Sequence, residues 1–334
     1  MARIAINGLG RIGRIVLKQA LDNDDLEVVA VNDLTPLDNL VYLLRYDTVY
    51  GRNPSTVSAS DDSLQIGDRR IPVFHCHDPA ELPWERLQVD LVFECTGVFR
   101  QQQDLEKHLV AGAKHAILSA PPKGGDLTQV VYGTSDPEHP LAAAFSTASC
   151  TTNCVAPVME ILDRHLGVEK ALFTTVHAYT GNQAMVDASA SRWERGRAGA
   201  ANLVPTSTGA ATATAAVLPQ LQGRLDGMAI RAPVPTGSIS DITLVTARPT
   251  SADEINQLFR SEADSQRYRH VLAVSDDPLV SSDVIGDGHA ATVDLGSTRV
   301  VGGDLVKVMA WYDNEWGYAT QMLRQALHVL HKKI

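Results

Sequence analysis

The sequence predicts an α/β protein in two parts: a doubly wound parallel sheet, then a second α+β domain with a mostly antiparallel sheet. Three observations lead there. The first half alternates short β-rich runs with helical stretches, as βαβ units do. After Cys150 the texture changes to longer strand runs with few helices between them. At 334 residues the chain also exceeds what one hydrophobic core usually organises.

In the first half the strand candidates are Arg3–Asn7, Glu27–Asn32, Asp90–Cys95, Ala116–Ser119 and Val130–Tyr132. A helix is predicted over Arg11–Leu21, where Ile12, Ile15, Val16 and Ala20 recur at helical spacing. Beyond Cys150 a helical pattern over Cys154–His165 precedes strand runs at Ala171–Ala178, Met228–Ala232, Ile239–Thr246 and Val306–Tyr312. One clear helix, Ala252–Ala263, interrupts them. The segment from Asp187 to about Asn202 is rich in small residues without periodicity and reads as a long ordered loop. Gly317–Lys333 places Tyr318, Met322, Leu323, Ala326, Leu327 and Leu330 on one face, with Lys332 and Lys333 at the negative end of the helix dipole. These patterns divide the chain into a first domain at 1–149, completed by a C-terminal helix at 315–334, and a second domain at 150–314.

A net charge of −10 gives no electrostatic reason to bind nucleic acid or an anionic membrane, so any phosphate site must be built locally. The N-terminus enters a strand pattern with no apolar stretch of signal-peptide length, and no run approaches the roughly 18 to 20 apolar residues of a membrane span. A cytoplasmic location is the default expectation. Cys76, Cys95, Cys150 and Cys154 are too scattered for a disulfide framework, and none forms a zinc-type Cys-x-x-Cys pair. Reduced thiols and no metal site are expected.

Gly8-Leu9-Gly10-Arg11-Ile12-Gly13 follows a strand and opens a helix, the setting of a Rossmann-type dinucleotide fingerprint. Gly8 suits a tight turn, Gly10 the close approach of a pyrophosphate and Gly13 helix-on-strand packing. Asp33 ends the second strand, 20 residues beyond Gly13, where a carboxylate accepts from an adenosine ribose. A carboxylate there repels a 2′-phosphate, which favours NAD over NADP. The alternative is a glycine-rich turn of another α/β protein with Asp33 as a cap.

Cys150 stands in Ser149-Cys150-Thr151-Thr152-Asn153-Cys154, immediately before a helical pattern. The positive end of a helix dipole is expected to lower a thiol pKa and raise its thiolate fraction. Alone, such a cysteine reads equally as buried filler. His177 closes an apolar strand and can serve as its base, or be one of the chain's 11 histidines in a structural role. Cys154, one helical turn on, reads as core packing.

Taken together, Asn7–Arg14, Ala148–Cys154, Thr175–Thr180, Pro205–Ala211 and Trp311–Tyr318 resemble phosphorylating glyceraldehyde-3-phosphate dehydrogenases, in order from residue 2 to the final helix. The resemblance implies that Cys150 attacks the aldehyde carbon of glyceraldehyde 3-phosphate while His177 takes the thiol proton. Hydride transfer to the nicotinamide then leaves a thioester that inorganic phosphate cleaves to 1,3-bisphosphoglycerate. It matches Ser149, Thr151, Thr208 and Gly209, with Arg195 nearby, to the site of the attacking phosphate, and Thr180 and Arg231 to that of the substrate phosphate. Asn314 matches the residue orienting the nicotinamide carboxamide, and Arg11, Ile12, Asp33 and Ser119 match other cofactor contacts. The resemblance further implies a homotetramer with residues 180–204 at a subunit contact.

Seven positions depart from the family pattern. Leu9 replaces an aromatic; Glu194 stands where many members have arginine, weakening the field around Arg195; Thr236-Gly237 replaces Asn-Val; His77 replaces Arg or Lys near the adenine. Ala188-Ser189 is similar to NADP-tolerant members, so with Asp33 the expectation is NAD preference with some NADP use. The competing readings are an erythrose-4-phosphate dehydrogenase, which ends by hydrolysis, and a catalytically silent binding relative. Thr206-Ser-Thr-Gly209 argues against the first, and Cys150, His177 and Arg231 together argue against the second.

Overall fold

The computed structural model describes residues 1–124, 127–134 and 141–331, and the chain divides into two compact units. The first comprises Met1–Val130, Glu138–Ala148 and Met322–Ile334. It runs β1 (Ala2–Asn7), α1 (Arg11–Leu21), β2 (Leu26–Asn32), α2 (Leu37–Arg45), a short hairpin of β3 (Tyr46–Asp47) and β4 (Gly51–Arg52), β5 (Val57–Ala59), β6 (Ser63–Ile66), β7 (Arg69–Phe74), β8 (Leu91–Glu94), α3 (Gln102–Val110), β9 (His115–Leu118) and β10 (Ala144–Ser146). The sheet order is β10-β9-β8-β1-β2-β7-β6-β5, parallel from β10 to β7 and antiparallel beyond. Ile4, Ala5 and Ile6 are all fully buried, as a strand covered on both faces must be. The chain leaves β1 for β2 on one side and reaches β8 on the other, so a crevice opens at the C-terminal end of β1. Val130–Tyr132 is not the strand its composition predicts. Only Gln129 bridges Ser146, after which the chain turns through Gly133 in the left-handed region, φ +75°. Val130 and Val131 are buried without being laddered.

The second unit, Val131–Pro137 and Ser149–Gln321, contains α4 (Cys150–Leu166), β11 (Val168–Ala178), β12 (Val204–Ser207), α5 (Ala210–Val217), β13 (Leu225–Ala232), β14 (Ser238–Thr246), α6 (Ala252–Ala263), β15 (Leu272–Ser275), β16 (Ala291–Val301) and β17 (Leu305–Tyr312). The order β12-β13-β11-β14-β17-β16-β15 is antiparallel except at β11·β13 and β15·β16. Helix α4 starts at Cys150, four residues before the predicted Cys154, because Ser149 Oγ accepts from Thr152 N at 3.1 Å and caps it. Helix α6 is not the only one between strands: α5, made of Ala, Thr and Val, has no amphipathic stripe to betray it. The long loop carries a 3-10 turn at Trp193–Gly196. The final helix, α7 (Trp316–His331), belongs to the second unit through Gln321 and to the first from Met322; Lys332 and Lys333 lie outside the described residues. No described helix is long and apolar enough to cross a membrane.

Behind the crevice of the first unit lies a polar network that no local pattern announces. Glu94, fully buried at the end of β8, accepts from Asn7 Nδ2 at 2.5 Å and from Thr96 N at 2.8 Å. His108 Nε2 lies 3.1 Å from the same carboxylate. Trp84 Nε1 can only donate, and its hydrogen bond to His108 Nδ1, 3.1 Å, places the imidazole proton on Nε2, pointing at Glu94. The ends of β1 and β8 are thereby tied to α3. Replacing Trp84 by Phe leaves His108 Nδ1 unpaired in a dry core. We expect a loss of about 1–3 kcal/mol, read as a lower urea midpoint at unchanged slope.

Candidate active site

At the mouth of the first unit's crevice, Gly8 has φ +94° and a Cβ there would sit 2.6 Å from Thr96 N. A Cβ on Gly13 would strike Gly8 O at 1.9 Å, so only glycine lets α1 approach the turn this closely. Gly10, by contrast, has nothing within 4 Å of where its Cβ would be. No side chain among the described residues caps α1, and its first turn carries no acid, which leaves amide donors around Arg11 and Ile12 for an anion. Asp33 Oδ2 accepts from Leu9 N at 2.5 Å and Oδ1 from Thr35 N at 2.8 Å, so the carboxylate is fixed with lone pairs to spare. The Arg11 guanidinium is drawn to Asp47 Oδ2 at 2.6 Å and over the Tyr50 ring, leaving its backbone amide as the group at the turn. Ser119 follows β9 at the same sheet edge, and His77 is exposed in the turn after β7.

In the second unit Cys150 is the first residue of α4 and His177 the penultimate residue of β11; Sγ and Nε2 are 3.3 Å apart. Parallel pairing of β11 with β13 sets His177 directly beside Arg231. Arg231 Nη1 lies 2.7 Å from His177 Nδ1 and 3.2 Å from Ala178 O, while Nε is buried with no partner among the described residues. An unpaired buried guanidinium nitrogen is costly, and an anionic ligand would satisfy it.

The expected lowering of the Cys150 pKa is not what the site shows. Burial pushes the thiol above its ordinary value, and the Arg231 charge and the Thr151 hydroxyl and amide only oppose that push. Burial also holds His177 down, to about 3, helped by the Arg231 charge and resisted by the Ala178 carbonyl. A helix N-terminus was visible in the sequence, whereas the loss of solvent was not. The resting pair is therefore a neutral thiol beside a neutral imidazole.

The remaining predicted residues fall around this pair. Ser149 caps α4, and the Thr151 hydroxyl is 2.9 Å from Tyr312 OH. Arg195 donates from Nε to Thr206 Oγ1 at 3.0 Å and from Nη2 to Ser207 O at 3.1 Å, next to Thr208 and Gly209 at the N-terminus of α5. Glu194 accepts from the same Thr206 hydroxyl at 2.7 Å, a bond that holds its carboxyl below the usual range and keeps a negative charge near Arg195. Thr180 is held by Gln183 Oε1, which accepts from its amide at 2.8 Å. Asn314 Oδ1 accepts from Ser238 Oγ at 3.0 Å, Gly237 N at 3.2 Å and Thr236 Oγ1 at 3.3 Å, so its Nδ2 is turned away as a donor. Gly237 itself is required by φ +85° and by Ser281 O, 2.1 Å from a would-be Cβ. Sequence reasoning missed Gln183, which acts on Thr180 three residues away, and Tyr312, whose partners are 161 and 137 residues distant.

Two family profiles match the chain: "Glyceraldehyde 3-phosphate dehydrogenase, NAD binding domain" over residues 2–102 and "Glyceraldehyde 3-phosphate dehydrogenase, C-terminal domain" over 149–314. Among similar proteins, glyceraldehyde-3-phosphate dehydrogenases of Streptomyces coelicolor and Xanthobacter flavus are each 45% identical, covering 96% of both chains. That of Haloarcula vallismortis is 43% identical over 98% of both.

The depressed His177 pKa links stability to pH. The unfolded histidine takes a proton below about 6.5 and the folded one does not until about 3, so the stabilisation is full above 6.5 and is lost as pH falls through that window. At pH 5 the wild type should have lost about 2 kcal/mol through this group, a loss absent from His177→Asn. Denaturant titrations of both proteins at pH 7.5 and 5 check it.

Proposed function

The chain belongs to the glyceraldehyde-3-phosphate dehydrogenase family, and on that premise we propose that it oxidises D-glyceraldehyde 3-phosphate to 1,3-bisphosphoglycerate through a thioester on Cys150. The observation that carries this reading is the 3.3 Å contact between Cys150 Sγ and His177 Nε2 with Arg231 beside it. We assign dinucleotide binding to residues 1–149 with the final helix, 315–334, and catalysis to residues 150–314.

The open space at Gly10, the uncapped α1 and the fixed Asp33 carboxylate fit a nicotinamide dinucleotide, which supplies the hydride acceptor when bound. Gly8, Gly10, Gly13, Arg11 and Ile12 would hold its pyrophosphate, Asp33 its ribose, Ser119 and His77 its flanks, and Asn314 Nδ2 its carboxamide oxygen. Cys150 adds to the aldehyde carbon as its proton passes to His177. Nδ1 of that ring cannot both accept from Arg231 and donate to Ala178 O, 2.7 Å away; only the second leaves Nε2 free to take the thiol proton. A substrate phosphate drawing Arg231 toward itself and Thr180 selects the productive tautomer. Loss of hydride from the hemithioacetal leaves the thioester. Phosphate, held by Ser149, Thr151, Thr208, Gly209 and Arg195, attacks its carbonyl, the C–S bond breaks, and the sulfur regains its proton from His177. Glu194 makes that phosphate site weaker than two arginines would.

Chemistry that needs a free thiol supports the reading of a reducing, cytoplasmic compartment. For a homotetramer, the support is the second sheet's outer face. Leu172, Met228 and Leu305 are exposed there, and an open trough of about 810 Å³ runs past Leu172, Thr174, Asp226 and Val245.

Two measurements test the reading. Without phosphate, NADH formation should stop after a single turnover at each Cys150, whereas sustained turnover would indicate the hydrolytic reaction of an erythrose-4-phosphate dehydrogenase. NAD should exceed NADP in kcat/KM, with some NADP use because Ala188-Ser189 adds no obstruction, and Asp33→Ala should narrow the ratio by about tenfold as the like-charge repulsion goes.

A further inference from the structure

Tyr312 belongs to the Trp311–Tyr318 motif, yet the reaction above gives it no part. It lies at the end of β17, is 2% exposed, and its hydroxyl sits 2.9 Å from Thr151 Oγ1 and 2.7 Å from Thr175 Oγ1. Thr151 is the residue after Cys150 and Thr175 stands two before His177, so one phenol joins the two elements that carry the reacting groups. Its ring also meets the His177 imidazole edge to face, centroids 5.9 Å apart at 75°. Thr151 follows Cys150 in the first turn of α4, so its hydroxyl stands on the segment that carries the sulfur.

We propose that Tyr312 is a positioning residue that orients a chain of three hydroxyls, Thr175 to Tyr312 to Thr151, each donating to the next, so that the last donates to Cys150 Sγ. Each hydroxyl has one proton to give. If Thr151 gives its proton to sulfur, its oxygen must accept from Tyr312, and the Tyr312 oxygen is left to accept from Thr175. Aligned hydroxyls polarise one another, and a donor fixed before charge develops stabilises a thiolate without reorganising. The other titratable or charged groups facing the sulfur are His177 on β11, Arg231 on β13 and Cys154 on α4; none is a donor fixed before charge develops, since His177 donates only after it has taken the thiol proton, Arg231 is bound to His177 and Ala178, and Cys154 donates to Ala310 O. The chain also reconciles two duties of Thr151. Once the sulfur is acylated it carries no charge, and the hydroxyl is released to the attacking phosphate.

This rests on Cys150 being the nucleophile, but its test needs no substrate and is independent of the phosphate assay. Tyr312→Phe removes the hydroxyl and keeps the ring against His177. The rate of Cys150 alkylation by iodoacetamide, followed by peptide mass spectrometry as a function of pH, should show its midpoint raised by about half a unit, so that alkylation below the midpoint slows about threefold. Thr175→Val should move the midpoint the same way by less, and Thr175→Ser should restore it. An unmoved or lowered midpoint in Tyr312→Phe overturns the proposal, as does a Thr175→Val profile that coincides with wild type. If Tyr312→Phe does not fold, the Thr175 pair decides.

Discussion

A thiol and an imidazole in van der Waals range exchange a proton only while both are held to within about 0.5 Å of the productive geometry, and the second unit is built to hold them. Cys150 is fixed because Ser149 caps the helix it starts, and His177 because it closes a strand paired on both sides. Arg231 arrives by register rather than by proximity in sequence. The contact is made in a place with little water, which raises the energetic cost of charge on both partners at once. The resting state is therefore uncharged, and reactivity is conditional. It awaits an aldehyde to accept the sulfur's electrons and an anion to draw the guanidinium from the ring.

The same desolvation shapes the rest of the site. Arg231 Nε is a donor kept without a partner among the described residues, and Thr206 is shared between Arg195 and Glu194 of opposite charge. Such arrangements make sense where a doubly charged ligand completes them, because strong bonds to phosphate repay what the empty site costs. In the first unit the logic is different. There the backbone supplies the recognition, through bare amides and glycines, and the buried Glu94 network stiffens the strand ends that present them.

The parts of this that the sequence discloses are those set by neighbours along the chain. Gly8, Gly10, Gly13 and Asp33 could be read because a turn, a helix start and a strand end are local events, and α1 was found at its predicted bounds. Cys150 and His177 could be named, but not the direction of their pKa shifts, which depends on burial by β17 and β13. Tyr312 stands 161 residues from Thr151 and 137 from Thr175, and nothing near it in the sequence hints at either hydroxyl. Helix α5 escaped notice because a run of Ala and Thr has no face, and β16 because Gly296 and a register shift after Asp294 break its alternation. Val130–Tyr132 misled in the opposite sense, its β-branched residues serving burial outside any named strand.

The parallel pairing of β11 with β13 interrupts an otherwise antiparallel neighbourhood, and it is this pairing that sets His177 against Arg231. Parallel neighbours cannot be joined by a hairpin, so the chain between them must travel out and back through the long loop, β12 and α5 before Arg231 can arrive. The catalytic cluster consequently depends on a pairing of two residues 54 apart in sequence, made only when β13 joins β11. A chain that has completed β11 but not β13 therefore carries Cys150 and His177 without the guanidinium that stands beside them in the finished sheet.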